Sequence, residues 1–207
     1  GYAYRAQFAT SNGDYSTAER DIEQAIKLSD SKDNEHFNYA RMIYNKELYQ
    51  ADKPYANWSL DKALGETREA WKINPLPAYR ELEANILYAQ KNYDEAYDRF
   101  IELTKTNMGT AETWYCAAQC KGQLKDTTAM IALLDSAMAQ FSKPYLKQAA
   151  PYLWARANAK FSAKKYRDAV NDMNDYEQLM AADVNANFYN IRHQAEIEGR
   201  LFQQALN

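Results

Sequence analysis

The sequence predicts an all-α fold of about six antiparallel two-helix repeats, and three observations carry that prediction. Small residues recur at a fixed step: Ala6 and Ala40 stand 34 positions apart, and so do Ala84 and Ala118. That period is the signature of a two-helix repeat. The stretch from Ala78 to Leu103 shows one unit in full. Leu82, Ala84, Leu87 and Tyr88 share a first helix, Lys91-Asn92-Tyr93 makes a tight turn, and Ala96, Tyr97, Phe100 and Leu103 share a second. Glycine and proline number only 6 and 5 in 207 residues, too few for the frequent turns of a sandwich or barrel.

Small residues set the helix spacing. One series, on the first helices, runs Ala6, Ala40, Ala84, Ala118 and Ala157. The residues opening the second helices are Ala18, Ala63, Ala96, Met130, Ala169 and Ala205. Two helix backbones approach closely only where the facing side chains are small.

Unit one, residues 1–30, places Ala3, Ala6 and Ala9 on its first helix. Gly13, in Asn12-Gly13-Asp14-Tyr15, is free to take a positive φ and close that helix. Ser16 or Asp14 caps the next, on which Ala18, Ile22, Ala25 and Ile26 recur at helical spacing. Unit two, residues 34–75, carries Phe37, Ala40, Ile43 and Tyr44 on its first helix. A longer connection follows from Gln50 to Ser59, around Pro54. The second helix runs from about Leu60 to Ile73 and stops at Asn74-Pro75, as a helix does before proline. Asn57-Trp58-Ser59 matches a glycosylation acceptor, a triplet that is common by chance.

Unit three spans residues 77–108. Unit four, residues 111–144, has Trp114, Ala117 and Ala118 on its first helix. Its second, Thr128 to Gln140, has Met130, Leu133, Leu134 and Ala137. Unit five, residues 150–182, has Leu153, Ala157 and Phe161, the turn Lys164-Lys165-Tyr166, then Ala169, Met173, Tyr176 and Leu179. Unit six, residues 187–207, reaches Gly199-Arg200-Leu201-Phe202 and Ala205 and is expected to break off inside its second helix. The six units read as a single array over residues 1–207. Terminal repeats normally carry a polar capping helix, so the expectation is a segment of a longer protein. No signal peptide is visible, and the opening residues already read as mid-helix sequence, as in a mature or trimmed fragment.

Composition narrows the function. Hydrophobic residues make up 46% of the chain, enough for a core, and the 17 tyrosines suit surfaces that are half packed and half wet. The net charge is -3, and the basic residues are interleaved with acids, as between Lys91 and Arg99. Nucleic-acid binding calls for a basic face, so no nucleic-acid partner is expected. No run approaches the roughly 18 apolar residues of a membrane helix.

No catalytic or metal constellation stands out, and neither an enzyme nor a cofactor is expected. The only histidines, His36 and His193, fall in units far apart and read as packed or surface residues. Cys116 and Cys120 share a helix face, but a closed zinc site needs four ligands and no second Cys/His pair lies near. They read as small buried hydrophobes. There is no glycine-rich phosphate loop and no GxSxG. The helix carboxylates are spaced as solvated faces.

The pattern resembles the tetratricopeptide repeat, and the resemblance covers nearly the whole chain. Trp114, Ala118, Met130, Leu134 and Ala137 fit that motif in unit four. Ala84, Tyr93, Ala96 and Phe100 fit in unit three, and Ala6, Tyr15, Ala18, Ile22 and Ala25 in unit one. Pro75 sits at the motif's proline position. Glu83 departs from it, standing where the family usually has a buried leucine. Thr127 replaces the turn aromatic, and His193 falls on the small position of unit six.

The resemblance implies a right-handed superhelix, an α-solenoid, whose concave face is lined by first helices and binds peptides or proteins. Counting from each small residue, the groove positions are three before, two before, one after and four after. They give Phe37, Asn38, Arg41 and Tyr44; Glu81, Leu82, Asn85 and Tyr88; Tyr115, Cys116 and Gln119; Trp154, Ala155, Asn158 and Phe161; and Asn190 and Gln194. The contact set expected from these is Arg41, Tyr44, Asn85, Tyr88, Tyr115, Gln119, Trp154, Asn158 and Phe161. Amides can bond an extended backbone both ways, and aromatics can anchor side chains. Trp154 and Phe161 have a second reading, packing against the neighbouring second helix. Some family members clamp a C-terminal carboxylate with Lys, Arg and Asn; here no lysine accompanies Asn85 and Asn158, and Arg41 is the only basic candidate. The alternative function is a structural or assembly scaffold without a peptide ligand. A groove filled by the insertion around Pro54 would favour it.

Overall fold

The computed structural model of the chain describes residues 1–142 and 147–205, and the side chains of these except 182 and 201–205. The described residues form helices and short 3-10 turns, with no strand. In chain order the helices are α1 (Tyr2–Ser11), α2 (Tyr15–Leu28), α3 (Lys32–Tyr49), α4 (Leu60–Ile73), α5 (Pro77–Ala89) and α6 (Tyr93–Leu103). Then follow α7 (Ala111–Gln123), α8 (Thr127–Met138), α9 (Ala150–Ser162), α10 (Tyr166–Met180) and α11 (Ala186–Ala205). The chain forms two compact units, Gly1–Met108 and Gly109–Asn207, where the sequence reads as a single array.

Within each unit, a helix packs on its neighbours in sequence. In the first unit, α1, α3 and α5 also touch one another in line. This nearest-neighbour order is that of a helical repeat. Ala6, Ala18, Ala40, Ala63, Ala84, Ala96, Ala118, Ala157 and Ala169 are all fully buried at the helix contacts.

The tight turns share one geometry. Gly13, Lys91, Lys125 and Lys164 all take positive φ, between 59° and 78°, and each lies seven residues after the small alanine of its first helix. The next amide (Asp14, Asn92, Asp126 or Lys165) donates at 2.9 Å to the carbonyl five residues back. This closure satisfies the last carbonyls of the helix. Asp14, rather than Ser16, then caps α2, accepting from the Thr17 amide at 3.1 Å. Asp126 caps α8 in the same way, through Ala129 at 3.0 Å.

Unit six differs from its sequence reading. α11 runs unbroken from Ala186 to Ala205, through the Gly199 region. Gly199 serves close approach instead: a Cβ there would stand 3.2 Å from the Tyr166 Cβ. Among the described residues no second helix covers α11, and His193, on the small position, is exposed. The side chains of Leu201, Phe202 and Ala205 lie outside the described residues.

The carboxylates are not all on solvated faces, contrary to expectation. Asp21, Glu83 and Asp172 are buried and each meets arginine. Arg5 holds both oxygens of Asp21. Arg68, Arg80 and Arg99 surround Glu83. Arg156 and Lys160 hold Asp172. Burial alone would raise the Glu83 pKa, but the hydrogen bonds from Arg68 and Arg80 and the nearby Arg99 outweigh it and hold the carboxyl below the usual range.

The insertion between α3 and α4 folds against α2 and the Tyr39 side of α3. Trp58 is buried there, its ring 5.3 Å from Tyr15, 6.1 Å from Tyr39 and 5.7 Å from Tyr55. Tyr39, Tyr55, Asn57 and Lys62 all donate to Glu19, at 2.6 to 2.8 Å. Asn57, of the glycosylation triplet, thus bonds inside this network. Burial pushes the Glu19 pKa up, and the four donors more than reverse it, bringing it down to about 2.

Candidate functional site

The first helices carry the predicted contact residues, and the structure distributes them unevenly. In the first unit, Arg41 and Tyr44 lie on α3, and Asn85 and Tyr88 on α5, helices that touch. Arg41 is exposed, its guanidinium 5.7 Å from the Phe37 ring and bonded to Asn38 at 3.3 Å. Tyr44 packs against the core, and Tyr88 meets Tyr93 edge-on at 5.2 Å. Leu82, also counted as a groove position, is buried in the core that joins unit three to units one and two. It sits on the face that receives the preceding repeat.

In the second unit four predicted residues converge. Tyr115 and Gln119 on α7 and Trp154 and Asn158 on α9 line one cavity of about 400 Å³. Met130, Pro151, Ala155, Ala159 and Ser162 complete the lining. None of these side chains is charged.

The cavity has a local cause. Two positions before and two after the small residue, unit three carries Leu82 and Ile86, both buried in the seam between repeats. Unit five carries Ala155 and Ala159 at the same positions. The short side chains leave the seam unfilled, and the space opens between α7, the start of α8, and α9.

Trp154 takes both of its sequence readings. It lines the cavity, and its ring also packs 5.5 Å from Tyr176 and 5.5 Å from Phe188. Its position is therefore fixed from behind by an aromatic cluster. Phe161 packs on that cluster and lies edge-on to Tyr166 at 5.7 Å, the packing reading. The Asn158 amide nitrogen donates to the Trp154 carbonyl at 2.8 Å, which orients the side chain. Tyr115 meets Tyr152 edge-on at 5.4 Å. The Tyr152 hydroxyl bonds Glu112, and burial together with that bond pushes its pKa up to about 12.

The sequence reading had no signal for the cavity itself. Of its lining, Ala155 is a groove position by spacing from the small residue, whereas Ala159, Met130, Pro151 and Ser162 are not. A second cavity, about 640 Å³, lies between the start of α10 and α11. Lys164, Lys165, Arg167 and Arg200 rim it together with Asp168 and Glu196, charges of both signs. Among the described residues, no cluster of three His, Cys, Asp or Glu side chains could hold a metal. His36 bonds Glu66 at 2.6 Å, Cys116 is half-buried beside Glu112, and Cys120 is buried. No described helix is long and apolar enough to cross a membrane.

No family model matches the chain, and no curated protein matches it. Solved structures do match. A tetratricopeptide repeat protein from Parabacteroides merdae superposes with a TM-score of 0.70 at 13% identity, over 99% of this chain and 75% of that one. MamA from Desulfovibrio magneticus RS-1, residues 41 to the end, gives 0.69 at 12% identity, over 89% and 96%. YrrB, described as a tetratricopeptide repeat protein with an unusual peptide-binding site, gives 0.65 at 11% identity, over 94% and 90%. The fold is therefore that of the tetratricopeptide repeat proteins.

Proposed function

We propose that this protein is a protein-interaction module and that its second unit captures an extended peptide segment on the first-helix face. The cavity lined by Tyr115, Gln119, Trp154 and Asn158 carries this reading. It seats an uncharged, apolar side chain against Trp154, Tyr115 and Met130, while the amides of Gln119 and Asn158 bond the segment's backbone. With no cation in its lining, the cavity is unsuited to a terminal carboxylate. Arg41, Tyr44, Asn85 and Tyr88 are the matching contact set of the first unit. The peptide-binding description of YrrB, on the same fold, is in keeping with this use. The insertion around Pro54 packs through Tyr55 and Trp58 on Glu19 and Tyr39, and Arg41 of its own unit stays exposed, which favours the binding reading over the scaffold alternative.

The test is selection of peptides from a displayed library on the wild-type protein, followed by calorimetric titration. The selected peptides should bind the Gln119→Ala/Asn158→Ala variant at least tenfold more weakly, with apolar residues enriched at one position. Equal affinity for both proteins would remove the cavity from recognition and leave the scaffold role in the lead.

A further inference from the structure

One position of the first helix is polar in every repeat. Directly after the small position stand Gln7, Arg41, Asn85, Gln119, Asn158 and Gln194. All are half-buried or exposed, and Arg41 is the one charged member of a row of amides. In the first unit it stands on α3, the helix that touches both α1 and α5, so Gln7 and Asn85 lie on the helices to either side.

Other arginines on first helices are neutralised within the fold. Arg5 is bonded to Asp21, Arg80 to Glu83, Arg156 to Asp172, and Arg192 to Glu177 and Glu196. Arg41 pairs with no carboxylate among the described residues. Its contacts are the Asn38 amide oxygen at 3.3 Å and the Phe37 ring at 5.7 Å. The guanidinium is nevertheless held in place. Phe37 packs 4.9 Å from the ring of buried Tyr79, whose hydroxyl donates to Asp33 at 2.9 Å. A guanidinium seated on a braced ring keeps its remaining N–H donors available to a partner.

We propose, resting on the reading of the first-helix face as a peptide site, that Arg41 selects a side-chain carboxylate, so that the first unit takes a segment with an internal aspartate or glutamate. Charge complementarity sets that class. An exposed cation that the fold leaves unneutralised can pair with a carboxylate through two parallel N–H···O bonds. A lone arginine suits a singly charged group, whereas phosphorylated side chains are recognised by clusters of arginine. The amides on either side place the carboxylate within the segment rather than at its end, because Gln7 and Asn85 can bond backbone both before and after it.

Peptides selected from a displayed library on the full chain, then titrated calorimetrically, test this. Aspartate or glutamate should be enriched at one position. Replacing that acid by its amide, or Arg41→Gln in the protein, should each weaken binding about tenfold, and the two together no further than either alone. Arg41→Glu should instead prefer the peptide with lysine in place of the acid. Arg41 is exposed, so both variants should keep the wild-type far-UV spectrum and melting temperature. Selected peptides that carry no acid, that bind Arg41→Gln as tightly as the wild type, or that lose affinity when their C-terminus is amidated overturn the proposal. If such peptides still bind Gln119→Ala/Asn158→Ala more weakly, the peptide reading stands without it. Peptides indifferent to both sets of variants, or none selected at all, overturn the two together.

Discussion

Arg156 and Asp172 stand sixteen residues apart and face each other across the hairpin of α9 and α10, joined by hydrogen bonds of 2.8 and 2.7 Å. The same two positions recur in other repeats: one residue before the first small alanine, and three after the second. In unit one they hold Arg5 and Asp21, also bonded. In unit three the signs are reversed, with Glu83 and Arg99 at 3.4 Å. In unit four they hold Ala117 and Leu133, both buried. The hairpin thus closes equally with an ion pair of either polarity or with an apolar pair.

That interchange predicts the cost of breaking the lock. Asp172→Ala leaves Lys160 without its anion and Arg156 with Asp135 alone, and should destabilise the second unit by about 3 kcal/mol. Arg156→Leu/Asp172→Leu copies the apolar solution of unit four and should cost less than about 1 kcal/mol. Lys160 can then extend its amine to water. A double-mutant cycle by chemical denaturation measures both. A double variant as damaged as the single one would mean that the charges hold the hairpin.

Glu19 predicts the acid behaviour of the first unit. Its folded pKa is about 2, against roughly 4.3 in an unfolded chain. A depressed carboxylate contributes stability that is fully present above the unfolded value and is lost as pH falls toward the folded one. Stability should therefore decline between about pH 4.3 and pH 2. The Glu19→Gln variant should be less stable at pH 7 and show a shallower decline across that window. Thermal melts at half-unit pH steps would reveal it, and parallel profiles for the two proteins would remove Glu19 as a source of acid sensitivity.

The helices and the alanine contacts were legible in the sequence because they follow from local spacing, and four of the nine expected positions line one cavity. Ala6, Ala84 and Ala157 recur with the repeat, and Gln119 and Asn158 sit at fixed offsets from small residues. Partnership across a hairpin was not legible. Glu83 breaks the hydrophobic pattern, and only the folded hairpin shows that Arg68, Arg80 and Arg99 gather around it. The cavity was hidden for the opposite reason. It comes from what Ala155 and Ala159 lack, and small residues in this fold normally signal close packing rather than space. The direction of the insertion was likewise fixed by contacts distant in sequence, those of Tyr55 and Asn57 with Glu19.

The left-handed turn residues predict paired effects of opposite sign. Gly13 has φ +78° and nothing within 4 Å of its would-be Cβ, so Gly13→Ala meets backbone strain alone and should cost about 1 kcal/mol. Lys125 holds φ +63° with a side chain that favours the other hand. Lys125→Gly relieves that strain while freeing the unfolded chain, for a net gain of about 0.5 kcal/mol. Differential scanning calorimetry resolves both, and a destabilised Lys125→Gly would show that the lysine side chain contributes more than its backbone strain costs.

Two substitutions of the same kind on one helix should separate space from contact. Ala157 is fully buried where α9 meets α10, and the alanines at that position let the backbones approach. Ala157→Leu must push the helices apart and should cost about 1–3 kcal/mol. Ala155 lies two residues earlier, facing the cavity of about 400 Å³. There a leucine enters open space, at a position where unit three already holds the buried Leu82, and the added apolar burial should raise stability by about 1 kcal/mol. The same leucine occupies the volume assigned to the ligand's apolar side chain. Ala155→Leu should therefore melt higher than the wild type and bind the selected peptides at least tenfold more weakly. A variant that gains stability and keeps full affinity would show that the cavity is a packing defect rather than a binding site.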